Sequence, residues 1–486
     1  MLSGTRYREN QGAMSAEISN LTNALPSLER IREEKAKLES AGVKYVLSCW
    51  IDLLGIPKTK PVPLSNFEAL CLGKGPQFAV HSVSFVPELG PADSDQIPVP
   101  DLDTLVICPW NRSCAWMMAD LWWEDAPYNL CPRNTLKSAV AEAAGKGYAG
   151  YAGIEPEFMV MRWRDGQPVK AFESDPMPGE GLRPRRQAFG YDVEFTADSM
   201  GFLGDLIDIL EELDWGLKDV VAEGAYSQFE LDFSYTNVLQ MADRLIFLRM
   251  LLKEVAKQHG MFVTFMPKPT IGDWRSGAHI NYSMQAVDST GANLFEDPQS
   301  GGWSDTAYHA VGGLLQHGGA ITAIACPTVN SYNGLVPRVG GFEGGKVTWA
   351  PTHMTYGNNN RSAMLRLPQN RFCIENRAAD MCMNPYLSLA MTTAAAVAGV
   401  TTKLDPGPPL NKDLYTLTAD EIKATDSQRL PRNLFEAVEI LKNDPLAETV
   451  LGPVMLNSYL QYKVDEWERY HQAVTDWEVQ EYLRLY

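Results

Sequence analysis

The chain has little that would draw it to nucleic acid or to an anionic membrane. Lys and Arg number 42 against 60 Asp and Glu, a formal net charge of −18 at pH 7, and a surface that neutralises phosphates needs the opposite surplus. Cation binding is the natural counterpart of such acidity, although an acidic surface also serves solubility alone. Cysteine is sparse too: Cys49, Cys71, Cys108, Cys114, Cys131, Cys326, Cys373 and Cys382 lie scattered, without a C-x-x-C pair or a dense framework. That excludes a disulfide-stapled scaffold and suits the reduced thiols of a cytoplasmic protein. No apolar run reaches the roughly 18 residues that spanning a membrane needs. The most apolar stretch, 387–400, is rich in Ala and Thr and reads as a buried helix. Residues 1–27 lack a basic start and an apolar run, so they read as a flexible tail rather than a signal peptide. Neither G-x-x-x-x-G-K-[ST] nor a G-x-G-x-x-G after a strand occurs, so any nucleotide site is not a P-loop.

What is present is a globular balance: 45% hydrophobic, 21% charged and 10% aromatic residues in a chain of 486, long enough for more than one domain. Apolar spacing predicts a helix over 28–41 ending at Gly42, then β-branched and aromatic runs over 43–53 and 104–108 broken by Gly and Pro, a small sheet-containing domain. From Pro132 the texture changes, and 135–144 reads as the first helix of a larger domain. The expected division is a tail over 1–27, an N-terminal domain over 28–133 and a catalytic domain over 134–486. A strong amphipathic helix is predicted over 237–259, capped by Thr236 or Asn237 and stopped by Gly260. Residues 340–345 are glycine-dense and read as a mobile loop, and helical periodicity returns from Leu434.

The informative pattern is charge alternating with apolar residues inside strand-like runs. Glu155 and Glu157 are two apart in Gly153-Ile154-Glu155-Pro156-Glu157-Phe158, so a strand points both to one face. Gln228-Phe229-Glu230-Leu231-Asp232-Phe233 repeats the design, His279-Ile280-Asn281-Tyr282-Ser283 varies it with an imidazole, and Ile374-Glu375-Asn376-Arg377 pairs acid with base. Each run alone reads as the solvated face of an amphipathic strand. Together they describe a polar inward face that would destabilise a core unless cations bound there. Oxygen ligands with one imidazole and no thiolates suit Mg²⁺ or Mn²⁺. Arg361, Arg366 and Arg377 form a basic group in an acidic protein; they fit a phosphate and a carboxylate, or ordinary surface ion pairs.

The order of these segments resembles the glutamine synthetase family from about Val43 to Tyr486. Gly153 to Phe158, Gln228-Phe229-Glu230, Phe265-Met266-Pro267-Lys268-Pro269, Ser276-Gly277-Ala278-His279, Asn330-Ser331-Tyr332, Asn360-Arg361-Ser362 and Asn384-Pro385-Tyr386-Leu387 all fall in family order. The resemblance implies an α+β chain, with an N-terminal β-grasp domain and a catalytic domain whose curved antiparallel sheet is flanked by helices. It implies two stacked rings, commonly of six subunits each, with active sites between neighbours. It also implies an ATP-dependent ligase that makes γ-glutamyl phosphate from L-glutamate and lets an amine displace phosphate. Glu157, Glu223 and Glu230 resemble the ligands of one metal, and Glu155, His279 and Glu375 those of a second. Arg361 and Arg366 match phosphate-contacting arginines, Ser283 an ATP contact, Gly277 a substrate contact, and Arg377 the arginine near the γ-carboxylate. Tyr415 falls where some bacterial relatives are adenylylated, although a packed loop tyrosine is the preferred reading.

Three departures fall at the substrate sites. The arginine expected to hold the α-carboxylate is Gly334, with Arg338 or Arg275 as candidate substitutes; the expected amine-site aspartate reads Ala79; and the usual Asn-Gly reads Trp274-Arg275. Glu343 is the candidate flap carboxylate. The stretches 347–351 and 355–360 resemble the γ-glutamylamide-forming branch, which includes methylamine, isopropylamine and aniline ligases. The acceptor expected here is an organic amine, aromatic ones included, in place of ammonia. An ammonia-using enzyme and a catalytically silent relative are the rival readings.

Overall fold

The structure, a computed structural model, describes residues 21–83, 89–172, 190–270, 273–288, 291–339 and 346–486. Ser27 caps helix α1 (Leu28–Ser40), and Ile31 and Leu38, on one face of that helix, are buried against the first sheet. This sheet comprises β1 (Tyr45–Ile51), β2 (Pro57–Pro63), β3 (Ile97–Pro100), β4 (Val106–Ile107), β5 (Cys114–Trp123) and β6 (Ala126–Pro127). β5 pairs parallel with β1 and antiparallel with β3, β4 and β6. A helix packed across a mixed sheet is the grasp arrangement. Of the segment expected as tail, Leu21–Ala24 forms a helical turn whose Leu21 N–H donates to Asp125 at 3.2 Å, and the residues before it lie outside those described.

The period of two along β5 joins the first sheet to the rest of the molecule. Ala115 and Met117 pack under α1, whereas Trp116 and Met118 face the main core. Helix α2 (Pro132–Gly145) follows β6, and its Arg133 is 1% exposed. The Arg133 guanidinium donates to Asp120 at 2.6 Å, Asp101 at 2.7 Å and Asp243 at 2.9 and 3.0 Å, tying the first sheet to the larger one's helices.

The second sheet is built on β7 (Tyr148–Arg164), with β8 (Gln167–Lys170), β9 (Leu217–Ala222), β10 (Gln228–Phe233), β11 (Thr236–Asn237), β12 (Phe262–Thr264) and β13 (Ala278–Ala286). A separate ribbon pairs β14 (Arg338–Val339) with β15 (Lys346–Val347), and β16 (Tyr356–Asn358), β17 (Leu365–Leu367) and β18 (Ile374–Asn376) complete the sheet. Its main path runs β16-β17-β18-β13-β7-β10-β9, open at both ends and antiparallel except between β16 and β17. Helices α3 (Val193–Glu212), α4 (Val238–Gln258), α5 (Pro385–Thr402) and α6 (Pro445–His471) flank it. Asn237 caps α4, accepting from the Gln240 N–H, and Gly260 follows its end with φ +68°. α5 is the expected buried helix over 387–400.

On β7, Ile154 and Phe158 enter the core with Phe229, Leu231, Ile280 and Tyr282, which leaves Glu155 and Glu157 on the other face. The glycine-dense loop over 340–345 lies outside the described residues. All eight cysteines are free. Among the described residues no helix is long and apolar enough to cross a membrane.

Candidate active site

Strand register brings the alternating residues into one row. Glu155 faces His279 across β7 and β13, Glu157 faces Glu230 across β7 and β10, Asn281 faces Glu375 across β13 and β18, and Arg366 faces Glu375 across β17 and β18. Glu155, Glu157, Glu230, His279 and Arg366 of this row line a cavity of about 480 Å³ together with Glu223, Asp232, Trp274, Arg275, Gly277, Trp349, Arg361, Arg371 and Arg377, whereas Asn281 and Glu375 lie behind it.

Two electrostatic halves share this cavity. In one, Glu157, Glu223 and Glu230 have carboxyls pushed above the usual range, Glu157 to about 8. Burial is the main cause in all three, and mutual repulsion adds to it between Glu157 and its neighbours Glu223 and Glu230. Like charges directly opposite in a sheet destabilise it, and no guanidinium bonds these three among the described residues. Asp232 is raised to about 7 by burial and by Glu155.

In the other half, burial opposes ionisation but bases outweigh it. His279 Nδ1 lies 3.2 Å from Glu155, Asn281 donates to Glu155 at 2.9 Å and Arg371 at 3.1 Å, holding it at about 2. Glu375 is fully buried and accepts from Arg366 at 2.8 Å and from Arg377, which hold its carboxyl below the ordinary range. Burial and the nearby Arg377 lower the pKa of His279, favouring the neutral imidazole that can ligate a metal.

The donor set fits divalent cations. Donor atoms of Glu155, Glu230 and His279 lie within 4.8 Å of one another, taking members from both expected ligand sets, and the raised carboxylates are those that a cation would stabilise in ionised form. Gln228 is the outer support, its Nε2 lying 3.1 Å from Glu157 and 3.2 Å from both the Arg275 carbonyl and the Ser276 hydroxyl.

The remaining expected residues divide. Arg361, Arg366, Arg377, Trp274, Arg275 and Gly277 line the cavity. The Arg275 guanidinium, however, turns into the core, donating to the Ala378 carbonyl at 2.6 Å and to Asp380 at 3.2 Å. Ser283 shares the face of His279 along β13 but does not line the cavity. Arg338 lies in the β14 ribbon, and Glu343 is outside the described residues. Ala79 precedes a single turn over Val80–Ser82, and none of the described residues in 21–131 lines the cavity. Tyr415 is a packed tyrosine whose hydroxyl donates to the Ala350 carbonyl at 2.7 Å.

Asp232, Arg371 and Trp349 are site residues that the sequence reading assigned no role. Asp232 was within reach, being two residues from Glu230 on the same strand. Arg371 and Trp349 sit in irregular segments, where no period marks the side chain's direction.

With this geometry in place, the comparisons are consistent with one another. The family model described as glutamine synthetase, catalytic domain, matches residues 129–482. The glutamate–methylamine ligase of Methyloversatilis universalis is 34% identical over 459 residues, 93% of this chain and 99% of that protein. A glutamine synthetase of Rhizobium meliloti is 35% identical over 443 residues, 90% of this chain and 96% of that one. A solved GmaS/ADP complex superposes with a TM-score of 0.81 at 33% identity, covering 92% of this chain and 99% of that one.

Proposed function

The chain belongs to the glutamine synthetase family and is an ATP-dependent ligase, and we propose that it joins an organic amine to the γ-carboxylate of L-glutamate, giving a γ-glutamylamide, ADP and phosphate. One observation carries the reading: carboxylates from β7, β10 and the loop after β9, and the His279 imidazole from β13, converge with Arg361, Arg366, Arg371 and Arg377 on a single cavity. Such a site can hold cations and a polyphosphate together. The similarity to the glutamate–methylamine ligase over 93% of the chain supports an amine acceptor.

In this reading Glu157, Glu223 and Glu230 would hold one divalent cation, Mg²⁺ or Mn²⁺, and Glu155, His279 and Glu375 would hold a second. When bound, the cations neutralise phosphoryl charge and act as Lewis acids. The glutamate γ-carboxylate attacks the terminal phosphoryl group of ATP, and the amine nitrogen then displaces phosphate from γ-glutamyl phosphate. Arg361 and Arg366 orient phosphate oxygens, and Arg377, whose Nε is fixed by the Arg361 carbonyl at 3.0 Å, faces the group in transfer. The departures at Gly334 and Ala79 remove charge from the glutamate and amine sites and that at Trp274 adds an aromatic ring, which favours a larger and less charged acceptor such as an alkyl or aromatic amine over ammonium.

Among the described residues, none in 21–131 of the same chain lines the cavity. A ring assembly, proposed as a dodecamer of two stacked hexamers, would let a neighbour's first sheet complete it.

The test is glutamate-dependent ADP release with Mg²⁺ or Mn²⁺ and methylamine, isopropylamine, aniline or ammonium, with the product identified by mass. A γ-glutamylamide is expected. The 35% identity to a glutamine synthetase makes ammonium the rival acceptor, and the same panel decides it.

A further inference from the structure

Trp349 is held in an unusual backbone conformation. Its φ is +54°, a left-handed geometry that is strained for a bulky L-residue and persists only where neighbours over-determine it. They do so here. The Thr348 hydroxyl donates to the Val336 carbonyl, the Thr348 N–H reaches the Pro337 carbonyl at 3.3 Å, and Tyr415 fixes the Ala350 carbonyl at 2.7 Å.

The strain places a large ring on the cavity. Trp349 is 52% exposed, and its ring stacks on Trp274 with centroids 6.4 Å apart and planes inclined by 24°. The Arg361 guanidinium lies 5.8 Å from the Trp349 ring, bracing it. Trp274 in turn rests on Gly224, where a Cβ would stand 2.0 Å from two of its ring carbons, so the floor under this pair admits only glycine. The Trp274 indole N–H is buried without an acceptor among the described residues. The two rings thus make one apolar wall in a cavity whose other walls carry Glu155, Glu157, Glu223, Glu230 and arginines.

An ammonium ion brings no apolar surface to such a wall, whereas an alkyl or aryl group on the amine nitrogen does. We infer that Trp349, stacked on Trp274, is the specificity-determining residue for the acceptor, contacting the hydrocarbon or aromatic substituent of the amine. This rests on the amine-ligase reading above and adds to it the residue that selects among amines.

The test replaces Trp349 with Gly or Asn, both of which accept the left-handed backbone, so the variants relieve strain and should melt no lower than wild type. Values of kcat/KM are measured with methylamine, isopropylamine and aniline. The expected result is a selectivity change that grows with the substituent: the ratio of isopropylamine or aniline to methylamine falls on the order of tenfold or more, the usual scale for one or more methylenes in an apolar pocket. Trp274→Ala should move the ratio in the same direction. Quenching of tryptophan fluorescence by aniline should weaken in the Trp349 variants. Equal changes for every amine, or no change in the ratio, overturn the inference and leave the ligase reading standing. A wild-type protein that releases no ADP with any amine overturns both.

Discussion

Arg275 and Gly334 occupy one another's space: a Cβ on Gly334 would lie 2.5 to 2.6 Å from the Cδ, Cβ and Cγ of Arg275. The arginine stem fills the volume that a side chain at 334 would claim, while its guanidinium is committed to Asp380 and the Ala378 carbonyl. Two departures that are far apart in sequence are therefore one steric exchange. Gly334→Arg should destabilise the protein by about 1 to 3 kcal/mol through overpacking. Arg275→Gly in the same chain should recover a substantial part of that loss, although it also leaves Asp380 buried without its partner. Urea unfolding of the two single variants and the double variant measures the coupling; simple additivity would mean that the two positions do not compete.

Glu157 and Glu230 oppose one another across the β7–β10 pair. In metal-free protein, Glu230→Gln replaces a carboxyl whose ionisation burial and Glu157 oppose, and should raise stability by up to about 1 kcal/mol. In Mn²⁺ or Mg²⁺ the same variant should gain much less than wild type. Thermal melts with a chelator and with each metal separate the two effects. A variant less stable without metal, yet equally stabilised with it, would place the cation elsewhere.

This opposition shows what the sequence makes legible. Period two survives in β7, β10 and β13, so Glu155, Glu157, Glu230 and His279 could be assigned to one face before any coordinates. The partner across the sheet could not, because register depends on how distant strands meet. Arg371 is a different failure. It bonds Glu155 and Asn281 from a turn before β18, where alternation carries no signal. Trp349 depends on a left-handed backbone, and nothing in an aromatic residue's sequence context announces that.

Arg133 should be the costliest single residue of the interface between the two sheets. Arg133→Met removes the guanidinium shared by Asp101, Asp120 and Asp243, leaving Asp120 only Lys137 and Asp243 only the Tyr386 hydroxyl, and the expected loss is about 3 to 5 kcal/mol. Arg133→Lys should recover only part of it, since one ammonium cannot reproduce the guanidinium fork. Denaturant midpoints of both variants give the comparison; full rescue by Lys would show that charge alone matters.

Asp444 caps α6, accepting from the Leu446 N–H at 2.9 Å, and lies 2.9 Å from His317 Nδ1. Burial opposes its ionisation, but His317 and the helix amides win and lower its pKa. A pKa lower in the folded than in the unfolded chain, where it is about 3.9, stabilises the fold above that value and stops doing so as pH falls through the folded one. Asp444→Asn keeps the cap and loses the charge. It should be less stable than wild type at pH 7, with the gap closing as pH falls below about 4. Unfolding curves across that range report it, and a gap independent of pH would assign the effect to shape.

The central claim is an amine ligase whose acceptor site has exchanged charge for apolar surface. The most direct measurement is kcat/KM for ammonium against methylamine, isopropylamine and aniline, with glutamate, ATP and Mg²⁺ or Mn²⁺ held saturating. The account predicts that at least one organic amine exceeds ammonium. An ammonium value equal to or above all three would contradict it.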